Sequence, residues 1–206
     1  MPFHLVVSIS SSSSSTYTWP NSEICRNAKW NRHGVTVAGG KGQGSALDQL
    51  AYPEGLFVDD DGSVFVADRD NHRVVKYVRD ASRGKLVAGG NKAGNSSSQL
   101  NTLTKVVVDK YGTMFICDRN NRRVQRWPEN GSNGETILDD IMCWGLALDT
   151  EGSLYISDME RHAVIKWPEN RVVAGGNGKG RALNQLSHPY HIFVHWDRSV
   201  FVADKG

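Results

Sequence analysis

The stretch GSVFVADRDNHRVVKY, residues 62–77, returns in this chain as GTMFICDRNNRRVQRW at 112–127 and as GSLYISDMERHAVIKW at 152–167. A fourth copy, RSVFVADKG, occupies residues 198–206. The acid that closes the apolar run is Asp68, Asp118, Asp158 and Asp204, at steps of 50, 40 and 46 residues. Self-similarity on that scale marks a repeat architecture, in which each unit buries its apolar face against its neighbours.

Each unit opens with an apolar run that ends in an acid, at Asp59, Asp109 and Asp149, and a glycine follows three residues later, at Gly62, Gly112 and Gly152. That spacing predicts a short hairpin turn with the glycine at its positive-φ position. The runs that follow (VFVA, MFIC, LYIS and VFVA) are β-branched and aromatic without alternation, the pattern of strands covered on both faces. A polar loop comes next, Asp68 to Arg73 in the first copy. A third strand, such as Val74 to Val78, alternates more and is expected to be less buried. A fourth segment, Lys85 to Gly90, closes the unit.

Four short strands in about 40 to 50 residues make one blade of a β-propeller. In an up-and-down meander, the loop between strands two and three shares a face with the connection from strand four to the next blade. This top face would carry the Asp68–Arg73 loop and the connection AGGKGQGSALDQL at 38–50. The connection recurs as AGGNKAGNSSSQL at 88–100 and AGGNGKGRALNQL at 174–186. In all three, a Gly stands four residues and a Gln nine residues after the second Gly of the pair.

The Asp-x-x-Asn-x-Arg loop, the x-Pro-x-Gly lead and the Ala-Gly-Gly connection resemble the NHL-repeat family, from about Cys25 onward. Two copies match the loop fully: Asp68, Asn71 and Arg73, then Asp118, Asn121 and Arg123. The third copy has Arg161 and Ala163 in place of Asn and Arg. The fourth has Arg198 at the turn glycine and His195 at the turn acid. The resemblance implies an all-β fold, an NHL-type β-propeller of four-stranded antiparallel blades. NHL propellers commonly have six blades and this array covers about four, so it reads as incomplete. Fuller blades are expected from near Tyr52, Leu103 and Met142. Residues 26–30 and 34–40 read as the last two strands of a preceding blade, and 188–204 as the first two of a following one. The Ala-Gly-Gly element is missing between Trp127 and Met142.

The domain reading is a low-complexity, disordered segment at 1–24, with its serine run at 10–15, followed by the propeller at 25–206. No apolar run approaches the roughly 18 residues of a membrane-spanning helix, and no confident secretory signal stands at the N-terminus. Three cysteines, Cys25, Cys117 and Cys143, are too few and odd in number for a disulfide framework. Cys117 reads as a small buried apolar residue. Sequons at Asn95 and Asn130 fall in expected loops and lean toward an extracytoplasmic protein. Localisation is otherwise open. The Trp127-Pro and Trp167-Pro pairs are expected to pack at blade edges.

Asp68, Asn71 and Arg73, and likewise Asp118, Asn121 and Arg123, read as structural: the acid accepts backbone N–H groups and pairs with arginine to fix the turn. Asp158 and Asp204 belong to the same set. The residues that change from loop to loop are the candidates for contact: Arg69, His72, Arg119, Arg122, Arg161 and His162. His188, His191 and His195 follow an H-x-x-H-x-x-x-H spacing, but a zinc site needs three or four converging ligands, and no metal or cofactor is expected. The fold also resembles the peptidylglycine amidating lyases, whose zinc histidines line the channel just before an inner strand. The matching positions here are Glu54, Thr104, Trp144 and Tyr190; none is histidine, and Glu54, Trp144 and Tyr190 join the candidate binding residues.

The reading is a non-catalytic scaffold that binds a protein or another ligand through its top-face loops. The family resemblance keeps two alternatives open: RNA binding, alone or in a ubiquitin-ligase architecture, and a propeller enzyme of lyase type. The three polar loops sum to only +1, a weak footprint for phosphate recognition.

Overall fold

A computed structural model of the protein describes residues 5–6 and 33–206. Strands β1 (Leu5–Val6) and β2 (Thr36–Ala38) pair antiparallel. Three four-stranded meanders follow. The first is β3 (Pro53–Val58), β4 (Val64–Asp68), β5 (Arg73–Tyr77) and β6 (Lys85–Gly89). The second is β7 (Leu103–Val108), β8 (Met114–Asp118), β9 (Arg123–Trp127) and β10 (Glu135–Leu138). The third is β11 (Cys143–Leu148), β12 (Leu154–Asp158), β13 (Ala163–Trp167) and β14 (Arg171–Gly175), and a hairpin of β15 (Pro189–Val194) and β16 (Val200–Asp204) comes last. The only helical turns among the described residues are three-residue 3-10 segments at Arg69–Asn71 and Arg119–Asn121. The strand expected at 26–30, the serine run and Cys25 lie outside the described residues. Of the 1–24 segment only β1 is described, and it pairs with β2.

The hairpin turns follow the glycine spacing. Gly62, Gly112 and Gly152 have φ of 81°, 79° and 87°, and Arg198 takes the same conformation at 69°. Asp59, Asp109 and Asp149 receive the turn's N–H groups, as in Ser63 N to Asp59 Oδ1 at 2.7 Å and Thr113 N to Asp109 Oδ1 at 2.9 Å.

Strands β4, β8 and β12 are buried at every position, as their unbroken apolar runs require. The third strands depart from expectation. β5 and β9 each leave only one residue unburied, Lys76 and Arg126. Their polar first residues, Arg73 and Arg123, turn inward rather than to solvent, so the apparent alternation is not an exposure pattern. It is the fourth strands that face water, with two exposed residues at the start of β6, β10 and β14.

Sheets stack face to face. Phe65, Ala67 and Val74 of the first sheet pack against Leu103, Met114, Ile116 and Trp127 of the second. Trp127 is fully buried in that interface, its Nε1–H donating to Gly131 O at 2.8 Å, and Trp167 packs beside Phe115 between the second and third sheets. Both tryptophans therefore belong to blade–blade interfaces, not to blade edges. The aromatic at the second position of β4, β8 and β12 (Phe65, Phe115, Tyr155) is at most 5% exposed, because the next sheet covers it. Its counterpart in β16, Phe201, is 59% exposed beside Phe193, since no sheet among the described residues lies on that face. Full burial of such a side chain contributes on the order of 1.5–3 kcal/mol.

The Asp-x-x-Asn-x-Arg residues hold the glycine-rich connections. Asp68 accepts Ala51 N at Oδ1, 2.7 Å, and Arg73 Nε and Asn71 Nδ2 at Oδ2, 2.7 and 2.8 Å. The Arg73 guanidinium then donates to the carbonyls of Ser45, Ala46 and Gln49, and Asn71 to that of Gly44. The second copy repeats this atom for atom, with Asp118 taking Asn101 N at 2.7 Å and Arg123 donating to Asn95, Ser96 and Gln99. The role is structural, as expected, but what is pinned is the connection entering the blade rather than the turn itself. Within each connection the Gln side chain folds back, Gln49 Nε2 to Lys41 O, Gln99 to Asn91 O and Gln185 to Asn177 O. A Cβ on Gly44, Gly94 or Gly180 would overlap that amide, which accounts for the Gly and Gln spacing.

The third copy lacks Asn and Arg because it lacks the long connection. Between β10 and β11 the chain is short, and Arg161 Nη1 bridges Asp158 Oδ2 at 2.7 Å and Asp140 O at 2.9 Å. One guanidinium again ties the buried acid to the incoming chain, from two residues earlier in the loop. Asp204 accepts the N–H groups of Ser187 and His188 in the same way as Asp68 accepts Ala51.

Cys117 is not a free buried thiol. It forms a disulfide with Cys143, with the Cα atoms 5.5 Å apart, and so joins β8 of one sheet to β11 of the next. Counting cysteines could not reveal this, because the third cysteine made the total odd while the repeat placed these two face to face.

Two expected outcomes follow for urea unfolding. Asp118→Ala leaves the buried Arg123 guanidinium unpaired, which costs about 3–5 kcal/mol, whereas Arg122→Ala removes only exposed pairs and moves the midpoint much less; equal midpoints would contradict the clamp. Replacing Cys117 and Cys143 together by Ala opens a loop of 26 residues and should cost roughly 3.5 kcal/mol by loop entropy, read as a lower midpoint that reduction of the native protein reproduces.

Candidate functional site

The residues just inside the first strands, Glu54, Thr104, Trp144 and Tyr190, come together at one end of the array because β3, β7, β11 and β15 lie side by side about its axis. Gly55 and Gly145 allow this approach: a Cβ there would meet the backbone of Thr104 and Tyr190 respectively in the adjacent blade. Thr104 Oγ1 donates to Trp144 O at 2.9 Å, and the Trp144 and Tyr190 rings sit 4.6 Å apart. Arg119, on the second-to-third-strand loop, lays its guanidinium 4.8 Å from the Trp144 ring centroid, and Lys205 stands 5.8 Å from that of Tyr190. Such cation–π contacts are worth roughly 0.5–2 kcal/mol.

The changing loop residues divide into two groups. Arg69 pairs with Glu54 at 3.0 Å and Asp70 at 2.9 Å, and covers the Tyr52 ring. Arg122 meets Asp140 at 2.8 Å and Glu160 at 2.5 Å, which raise its pKa, while Arg122 lowers that of Asp140. Arg161 is held by Asp158 and Asp140. His72 and His162 adopt positive φ and bond the chain entering the next unit, His72 Nδ1 accepting Thr102 N at 3.1 Å and His162 Nδ1 meeting Ser187 O. These five are committed to internal partners. Arg119 has no ion pair among the described residues, and its Nε is buried without an acceptor; so is Nε1 of Trp144. Two adjacent N–H donors lacking acceptors are what distinguishes this corner, since such groups ordinarily find partners.

His188, His191 and His195 have separate surroundings. His188 Nδ1 meets Lys205 O at 3.0 Å, and His195 pairs with Asp197 at 3.0 Å. His191 is held below its usual pKa by burial and by Lys105. Lys105 is a residue the sequence reading passed over. Its Nζ donates to Leu56 O on the neighbouring blade at 2.9 Å, and burial lowers its pKa. The signal was present, since Lys105 stands where Gly55 and Gly145 do in the other units. It borders a cleft of about 730 Å³ with apolar walls that include Phe57, Val107, Leu146 and Ile192. No group of three or more His, Cys, Asp or Glu side chains converges as metal ligands among the described residues. No helix among them is long and apolar enough to cross a membrane.

Comparison with known proteins bears on the fold. The family model described as NHL repeat matches residues 50–77, the span that contains Asp68, Asn71 and Arg73. No curated protein sequence matches the chain. Among solved structures, the nidogen of a nidogen/laminin complex is similar at 18% identity and a TM-score of 0.60, over 74% of this chain and 56% of that one. Virginiamycin B lyase from Staphylococcus aureus is similar at 13% identity and a TM-score of 0.54, over 74% of this chain and 48% of that one. A structural genomics protein of unknown function from Bacteroides thetaiotaomicron is similar at 14% identity and a TM-score of 0.58, over 73% and 44%. The chain thus spans about half the length of these structures, and identities this low speak to the fold alone. With the match at 50–77, the recurrence of its pinned loop in the second unit and the stacked four-stranded meanders, the chain carries an NHL repeat and has the fold of an incomplete NHL-type β-propeller.

Proposed function

We propose that this chain is a non-catalytic scaffold that binds a protein through its top face, centred on Arg119, Trp144 and Tyr190. The observation that carries the reading is the pair of buried, unpartnered donors, Arg119 Nε and Trp144 Nε1, set against two stacked aromatic rings. Arginine, tryptophan and tyrosine are the residues that dominate binding energy at protein interfaces, and loops held on a rigid sheet scaffold are where contacts gather. An acceptor-rich partner segment, a carboxylate or a run of exposed carbonyls, would satisfy both donors. The nidogen in complex with laminin supports the idea that a propeller of this kind can serve a protein partner. The top-face arginines Arg69, Arg122 and Arg161 are already neutralised by acids of the same chain, which weighs against RNA as the ligand.

The test is affinity capture from a source extract with the native chain, Trp144→Ala, Arg119→Ala and, as a surface control, Arg198→Ala. Loss of a central contact of this type typically costs about 2 kcal/mol or more, a roughly 30-fold weakening. The first two variants should therefore lose the partner while still unfolding in one cooperative transition, at a midpoint lowered by the loss of the Arg119–Trp144 contact, and the control should keep the partner. An unchanged partner set in Trp144→Ala would overturn the assignment. Capture that vanishes with nuclease and falls steeply with salt would favour nucleic acid instead.

A further inference from the structure

The fold leaves two sequence motifs unused, the sequons Asn95-Ser96-Ser97 and Asn130-Gly131-Ser132. Sequons arise often by chance, so the motif alone decides nothing. The structure adds accessibility and context. Asn95, Ser97, Asn130 and Ser132 are all exposed. Asn95 engages the fold through its carbonyl, which accepts Arg123 Nη1 at 2.8 Å, and this leaves its side chain free. Asn130 sits in the tight turn closed by Gly131 N to Pro128 O at 3.0 Å; only its Oδ1 is engaged, by Lys85 Nζ at 3.4 Å, so the nucleophilic Nδ2 is available. The segments bearing the two sequons touch, through Gly134 N to Ser97 O at 2.7 Å. Both acceptors therefore lie in one sector of the rim, beside the exposed outer strand β10.

The independent observation is the Cys117–Cys143 disulfide. It is buried between two blades, and disulfides of this kind form and persist in oxidising compartments. Those compartments are also where asparagine sequons in surface loops acquire glycans.

We propose that Asn95 and Asn130 are N-glycosylation sites, and that the propeller is folded and oxidised in a secretory compartment. The donor class is an oligosaccharide linked through pyrophosphate to a polyprenyl lipid. Nδ2 forms a bond to the anomeric carbon of the first sugar, the bond from that carbon to the pyrophosphate oxygen breaks, the lipid pyrophosphate leaves with the electron pair, and Nδ2 loses one proton. Glycans here would stand beside the unpaired edge of β10 and hinder strand-to-strand association, the hazard that an exposed sheet edge carries.

The experiment is secretion of the full chain, behind a secretory leader, from a eukaryotic host, followed by treatment with an endoglycosidase specific for asparagine-linked glycans. Two steps of mobility should be lost. Ser97→Ala and Ser132→Ala should each remove one step, and the double variant both; these serine hydroxyls make no hydrogen bond among the described residues, so the variants keep the fold's stability. In the unreduced chain Cys117 and Cys143 should resist alkylation and react after reduction. A secreted, folded chain that the endoglycosidase does not shift, or a shift that persists in the double serine variant, overturns the glycosylation sites. Alkylation of both cysteines without reduction overturns the compartment.

Discussion

The glycine-rich connections entering the first two blades depend on one buried ion pair each, the aspartate that ends the second strand with the arginine that begins the third. Asp68 and Asp118 are wholly buried, and Arg73 and Arg123 nearly so. A buried pair earns little by Coulomb attraction alone, because desolvation offsets it. Here further hydrogen bonds hold the pair, from an asparagine and a backbone N–H to the acid and from the guanidinium to three backbone carbonyls of the glycine-rich connection. The pair thus converts a thirteen-residue irregular segment, which would otherwise carry unsatisfied polar groups, into a fixed part of the blade. Where the connection is short, a single arginine, Arg161, does the equivalent work with Asp158 and Asp140.

Beside these connections the first strands approach closely: Lys105 reaches a carbonyl of the adjacent blade, and the Trp144 and Tyr190 rings lie 4.6 Å apart. The disulfide acts in the same direction, since it ties the second strand of one blade to the first strand of the next. In a repeat array each unit touches only its neighbours, so links of this kind, together with interfacial aromatics such as Trp127 and Phe115, carry the cohesion that a single shared core supplies elsewhere.

Much of the fold was legible before any coordinates. The turn glycines, the buried second strands, the missing connection after Trp127 and the recurring Gly and Gln of the connections all translate directly into observed structure. The third strands were misjudged because polar residues such as Lys76, Gln125 and Arg126 alternate with apolar ones, whereas the structure leaves only Lys76 and Arg126 unburied. Nothing local reveals that a guanidinium is turned inward onto three carbonyls more than twenty residues earlier in the chain. Trp127 and Trp167 were placed at edges for a similar reason: their Trp-Pro sequences resemble the start of a turn, whereas their rings are decided by the neighbouring sheet.

The candidate site divides along the same line. Sequence periodicity establishes which residues occupy equivalent places, and so it named Arg69, His72, Arg119, Arg122, Arg161 and His162, while the resemblance to a lyase family added Glu54, Trp144 and Tyr190. It treats them as interchangeable, because a repeat encodes position within a unit and not what the next unit brings opposite. Only the tertiary structure shows that acids from other segments neutralise Arg69, Arg122 and Arg161 while Arg119 rests on an indole with no acceptor in reach. The same holds for Cys117 and Cys143, a pair created by the stacking of two blades. Local pattern governs hydrogen bonding within a strand and its turns; contacts between units depend on where packed sheets place side chains distant in sequence.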